Sequence, residues 1–205
     1  MRRITDEPIP IDVQRRILDA AVRAPTGGNA QNWQFLFVDD PAIRNRLAPI
    51  YRKCLSDLWA SFYKDRLDAA LAKPDDEDSR QMLAVQKSAD YMADNFARYP
   101  LLMFAFAQFD PSGGSIYPAI WSAMLAARAE GVGSTLTSVM LFQLDTVLDI
   151  LQVPKDEGWN FAGCVPFGYP TGRWGVPKRR PAHEVAHRNT WGTPVGFEID
   201  EPLWP

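Results

Sequence analysis

Cysteine is almost absent from this sequence: Cys54 and Cys164 are the only two. They form neither a short redox pair nor a metal-binding spacing, which excludes a disulfide scaffold and a cysteine-rich zinc site. No apolar run reaches the roughly 18 residues of a membrane-spanning helix, since even "LLMFAFAQF" stops at Asp110. Nor does the N-terminus join a basic segment to an apolar signal core. A soluble, cytoplasmic chain is expected. Excess charge of one sign is missing too. A formal net charge of −3 gathers neither nucleic acid nor an anionic membrane, so any bound anion needs a local basic patch.

What the sequence has is enough apolar material for one substantial core: 46% of its 205 residues are hydrophobic, which predicts a single domain over residues 1–205. After a Pro-rich lead, "DVQRRILDAAVRA" puts Val13, Ile17, Leu18 and Ala21 on one helical face, with Asp12 as N-cap and Pro25 beyond the end. The apolar, aromatic "WQFLFVDD" reads as a strand. Residues 41–73 read as a helix, and "PDDEDSR" turns into a second long helix ending near Pro100. "LLMFAFAQF" suits a strand buried on both faces. "IYPAIWSAMLAARAEG" is a strongly apolar helix closed by Gly131, "GSTLTSV" a strand, "LDTVLDIL" a short helix and "WNFAGCVPFGY" another strand. Strands separated by long helices predict a sheet with helices packed on it. The Pro-rich end, residues 188–205, is expected to lean on a partner subunit.

Four constellations carry candidate chemistry. In "RPAHEVAH" the two histidines of the chain, His183 and His187, have the i, i+4 spacing of a zinc-protease helix, with Glu184 placed to activate water. A third ligand is missing from the pattern, Glu198 and Glu201 being the nearest candidates. The preferred reading is a short surface helix with Val185 and Ala186 turned inward and both histidines solvated. "APTGGNAQNW" offers Thr26, Asn29, Gln31 and Asn32 as hydrogen-bonding groups, and Gly27 and Gly28 where a backbone amide can approach a ligand. This suits a polar planar ligand; an ordinary helix-ending turn is the plain alternative. Lys178, Arg179 and Arg180 supply the local patch, with Arg2 and Arg3 a second basic pair at the other end. "GVGSTLTS" is not a dinucleotide fingerprint, because its glycines follow a helix instead of a strand.

Taken in order, "RRITDEPIP", "ILDAAVRAPTGGNAQNWQFLFVDD", "LAARAEGVGSTLTS", "FGYP" and "PKRRPAHEVAH" resemble the FMN-dependent nitroreductase family over nearly the whole chain. The resemblance implies an α+β, three-layer α-β-α fold with a mainly antiparallel central sheet. It also implies a homodimer with FMN at the interface, and NADH or NADPH as electron donor. It nominates Arg2 and Arg3 with Lys178, Arg179 and Arg180 for the FMN phosphate. It makes Pro25, Thr26, Gly27, Gly28, Asn29 and Gln31 flavin neighbours, often from the second subunit, and sets Thr137 and Ser138 at the N5 edge. The family usually carries a further Arg and Ser two to four positions before the residue matching Arg2. Their absence here implies either an upstream start or a phosphate held by fewer groups. The middle-helix contact to the pyrimidine edge has no matching residue.

The chemistry implied is ping-pong hydride transfer by the flavin from NAD(P)H to a nitroaromatic, quinone or similar electrophile, with no catalytic side chain. A flavin-binding relative with other chemistry, such as a reductive dehalogenase, a flavin-cleaving enzyme or a flavin-binding regulator, is the alternative. Trp33, Phe35, Trp59, Phe62 and Trp121 either line an aromatic acceptor pocket or, as the preferred reading has it, belong to the core.

Overall fold

The computed structural model describes residues 2–175 and 179–199. They divide into two compact units, Met1–Gly172 and Arg173–Pro205. The first holds a four-stranded sheet, β1 (Trp33–Val38), β2 (Leu101–Ala107), β3 (Gly133–Ser134) and β4 (Asn160–Gly168), in the order β1-β2-β4-β3. Every pair is antiparallel. Six helices surround it: α1 (Ile11–Val22), α2 (Pro41–Ala60), α3 (Lys64–Ala72), α4 (Glu77–Asp94), α5 (Ile116–Ala129) and α6 (Leu144–Leu151).

The three layers follow from the alternation of side chains along β2, which is buried throughout. Leu101, Met103, Ala105 and Ala107 join Val13, Ile17 and Ala21 of α1 and Ala119, Ile120 and Ala123 of α5 on one face. Leu102, Phe104 and Phe106 join Leu47, Tyr51 and Leu55 of α2, Met92 of α4 and Leu148 of α6 on the other. Burying each large side chain contributes about 1.5–3 kcal/mol. On β4 the ladder slips between Ala105 and Phe106, so that Gly163 faces Ala105 while Phe161 faces Phe106. Ala162 is thus the extra residue of a bulge. It reverses the parity of the strand, which is why Phe161 shares a core with Cys164 while Val165 and Phe167 lie in the opposite one.

Three expectations are corrected at element ends. The first helix begins at Ile11, two residues earlier than an Asp12 N-cap implies, with Pro10 at the N-cap; Asp12 sits in the first turn and pairs with Arg16 at 3.1 Å. The helix expected over residues 41–73 is two, because the Ser61 hydroxyl donates to the Asp57 carbonyl at 2.6 Å and its backbone leaves helical geometry (φ −114°, ψ −86°). The strand expected in "GSTLTSV" shrinks to Gly133–Ser134 and an isolated bridge, Thr137 to Cys164. Thr135 N–H reaches the Pro166 carbonyl at 3.3 Å, but Pro166 has no N–H to return, so the ladder is interrupted there.

In the second unit, a 3-10 turn (Ala182–Val185) follows Pro181, and Ala186 is extended. Arg188 and Thr193 then close a tight reversal, in which Arg188 N–H donates to the Thr193 carbonyl at 3.0 Å.

Candidate functional site

Arg3, Ile4 and Thr5 are fixed by the segment that follows β4. Thr5 N–H donates to the Tyr169 carbonyl at 2.7 Å, Ile4 bridges Pro170, and Thr171 N–H donates to the Arg3 carbonyl at 3.1 Å. The arm is held from the other side by Tyr99, whose hydroxyl donates to the Arg2 carbonyl at 2.6 Å. The Arg2 guanidinium donates to Ser88 Oγ of α4 at 3.3 Å, and the Arg3 guanidinium lies 4.9 Å from the Tyr91 ring centre. Both guanidinia meet α4, one turn apart, with Arg2 half-buried and Arg3 exposed.

Beside this arm stands Tyr51 of α2, 3% exposed and stacked on Phe96 with ring centres 4.2 Å apart. Its hydroxyl lies 3.4 Å from Thr137 Oγ1 and 3.5 Å from the Met92 sulfur. Burial pushes the Tyr51 phenol above its ordinary range, opposed by the Thr137 hydrogen bond and the Arg2 charge. Burial does the same to Tyr99, with Tyr51 adding to the rise and Arg2 opposing it. Both are neutral hydroxyls at physiological pH. Thr137 is tied to β4 by its own N–H to the Cys164 carbonyl at 2.9 Å and by the return bond at 2.8 Å. Ser138, next along, is exposed, and among the described residues neither its N–H nor its hydroxyl has a partner. Thr137 and Ser138 thus put a hydroxyl pair and a backbone amide beyond the outer side of β4, with the buried Tyr51 hydroxyl behind Thr137 and Arg2 held on α4. That set can hold a polar planar ring.

The loop before β1 is built differently. Gly28, Asn29 and Gln31 have φ of 59°, 54° and 52°, in the left-handed region that Gly and Asn tolerate best. The Thr26 hydroxyl accepts Gln31 N–H at 3.2 Å, and the Gln31 amide donates to Asn29 Oδ1 at 3.1 Å. Apart from Gly27 itself and its two chain neighbours, no residue comes within 4 Å of where a Cβ on Gly27 would stand. Pro25, Gly27, Gly28, Asn29 and Gln31 are exposed and Thr26 half-buried. This loop adjoins β1, whereas the Thr137 bridge is on the far side of β4. Three strand spacings, about 14 Å, separate them within one chain.

Of the remaining candidates, Arg179 and Arg180 are exposed in the second unit, and Lys178 lies outside the described residues. The histidine reading changes. His183 belongs to the 3-10 turn and His187 to an extended segment beyond it, so they do not share a helical face. Nor is the preferred reading right in detail, since Val185 is exposed and His183 half-buried, its Nδ1 accepting Ile199 N–H at 3.0 Å. Among the described residues no group of three His, Cys, Asp or Glu could hold a metal ion. Cys54 and Cys164 are buried, and burial raises both thiols, Cys164 strongly.

The aromatic residues divide. Trp33 is core, Phe35 and Trp59 are half-buried, but Phe62 and Trp121 are 78% and 59% exposed. Tyr51, Tyr99 and Ser88 escaped the sequence reading. The signal for Tyr51 was available: on α2 it falls four residues after Leu47 and four before Leu55, a polar tip in an otherwise apolar stripe.

Comparison with known proteins gives a consistent picture. The model of the nitroreductase family matches residues 1–169. A 5,6-dimethylbenzimidazole synthase of Rhodospirillum rubrum is 29% identical over 208 residues, covering 92% of this chain and 89% of that protein. Among solved structures, iodotyrosine deiodinase bound to FMN and 3-iodo-L-tyrosine superposes with a TM-score of 0.70 at 21% identity, over 92% of each chain. The FMN-dependent nitroreductase NfnB of Mycobacterium smegmatis in complex with NADPH does so with a TM-score of 0.59 at 21% identity, over 87% of this chain and 93% of that one. Among the described residues no helix is long and apolar enough to cross a membrane.

Proposed function

From the premise that this chain belongs to the nitroreductase family, whose members are oxidoreductases in kind, we propose that it is an FMN-dependent enzyme taking electrons from NADH or NADPH and passing them to an electrophilic acceptor such as a nitroaromatic or a quinone. The observation that carries this is the Thr137–Ser138 turn, whose Thr137 hydroxyl lies 3.4 Å from that of Tyr51, a phenol stacked on Phe96, which in turn packs on the Tyr99 that holds the Arg2 carbonyl. These groups match a flavin ring, which needs donors at its N5 edge and positive charge near its pyrimidine. When bound, FMN supplies a ring nitrogen that takes up hydride from the donor and returns it to the acceptor. The protein's part is to bind and orient. Thr137 and Ser138 offer hydroxyl and amide donors to N5. Arg2, its guanidinium held at Ser88 of α4, supplies the positive charge. The phosphate reading of Arg3, Lys178, Arg179 and Arg180 rests on sequence alone.

The loop of residues 25–31 stands too far from Thr137 to serve it within one chain, so in this reading it serves the turn of a second copy. The outward face of α5 is where the copies meet: Tyr117, Trp121 and Leu125 form an exposed apolar stripe on a helix whose other face is core. A homodimer then holds two equivalent sites.

Purified protein should be yellow and should bleach with NADH or NADPH under anaerobic conditions. A flavin that stays oxidised in excess of both refutes the oxidoreductase reading. The match to a 5,6-dimethylbenzimidazole synthase over 92% of the chain favours a second reading, a flavin binder with other chemistry such as flavin cleavage or reductive dehalogenation. Product analysis with several acceptors separates the two.

A further inference from the structure

We propose that Tyr51 is a positioning residue that fixes the Thr137 hydroxyl as a hydrogen-bond donor toward the flavin N5 edge. This rests on the FMN reading above and deepens it. The Tyr51 hydroxyl has two neighbours, Thr137 Oγ1 at 3.4 Å and the Met92 sulfur at 3.5 Å. A thioether is a weak acceptor and a hydroxyl a good one, while a phenol is a better donor than an aliphatic alcohol. The single Tyr51 hydrogen, within reach of the Met92 sulfur as well, goes in this proposal to the better acceptor, Thr137. A second donor, Val139 N–H, reaches the same oxygen at 3.4 Å. A hydroxyl oxygen has two acceptor positions and one hydrogen; with both positions filled, Thr137 can only donate.

The consequence is a preference between two states of a ligand. Oxidised FMN offers N5 as an acceptor and matches a fixed donor; reduced FMN carries hydrogen at N5 and meets a group with no free lone pair. Ser138 cannot set this direction, because its exposed hydroxyl turns freely. Tyr51 can, because stacking on Phe96 holds its ring and 3% exposure keeps its hydroxyl among its protein neighbours.

The test is the midpoint potential of FMN bound to the full-length protein, with FMN affinity measured alongside, for wild type, Tyr51→Phe, Thr137→Val and the double variant. Tyr51→Phe keeps the ring stack and removes only the donor. It should move the balance three- to tenfold toward reduced FMN, a rise of about 15–30 mV for a two-electron couple. Thr137→Val should raise the potential too, and Tyr51→Phe should add nothing to it. A Tyr51→Phe potential equal to or below wild type overturns the proposal, as does a shift that persists without Thr137. Should Tyr51→Phe not fold, Met92→Leu decides: an unchanged potential supports donation to Thr137, and a fall, from a Tyr51 donor released by the lost sulfur, overturns it. Wild-type protein that takes up no FMN sinks the flavin reading and this proposal together, whereas uptake with no Tyr51 effect sinks only the latter.

Discussion

A Cβ placed on Gly168 would stand 2.9 Å from Ile4 Cβ, and one on Gly163 would stand 2.7 Å from Leu136 Cδ1 and 3.3 Å from the Thr137 carbonyl. Both glycines let a neighbouring segment lie flat against β4, and both segments carry candidate site residues. The Ile4 contact is with an atom bonded to the backbone, so it cannot swing aside. Gly168→Ala should cost about 1–3 kcal/mol in urea unfolding and weaken FMN binding at least tenfold by titration, because Arg2 rides on the displaced arm. The buried hydroxyls and thiols make a separate prediction. Tyr51, Tyr99, Cys54 and Cys164 hold their protons more tightly folded than unfolded, so above the unfolded values the native chain binds more protons and stability falls as pH rises. Urea midpoints should be flat up to about pH 8.5, where free thiols ionise, and decline beyond. In Cys54→Ala/Cys164→Ala the decline should begin nearer pH 10. The sequence showed Thr137 and Ser138 as candidates but not Tyr51, because a tyrosine in an apolar stripe reads as core until the tertiary fold shows what its hydroxyl meets.

At the scale of elements, periodicity was a good guide wherever a segment is long and one-sided. The faces of α1, α5 and β2 follow directly from the spacing of their apolar residues. It failed where a single residue redirects the backbone. Ser61 divides a helix through its own side chain, and Pro166 cuts short the strand opposite it, an effect exerted across the sheet that no reading along "GSTLTSV" contains. The start of α5 is set by Asp110, whose carboxylate accepts Ser115 N–H at 3.1 Å and Ile116 N–H at 2.9 Å. Asp110→Ala should lower the unfolding free energy by about 1 kcal/mol in urea, as loss of a helix cap does, and Asp110→Asn by less.

For the whole molecule, helices packed on a sheet were legible from the order of strands and long helices, while the α+β class and the antiparallel sheet came from the family resemblance alone. The placement of the candidate groups was not legible. That the loop of residues 25–31 and the Thr137–Ser138 turn occupy opposite sheet edges depends on the order β1-β2-β4-β3, which no local pattern encodes. The histidine pair shows the converse: a spacing meaningful on a helix loses its meaning once the backbone between its members extends. If copies pair through α5, Trp121→Asp puts a charge into the seam. Sedimentation should then give a monomer, and that monomer should lose its colour; a monomer that keeps flavin would show that one chain suffices.

The opposite-edge arrangement also has a genetic corollary. In a pair built from one chain crippled in its loop and another crippled in its turn, one pocket inherits both lesions and the other inherits neither. Two inactive alleles expressed together would then restore part of the activity, whereas two alleles damaged in the same segment would not complement.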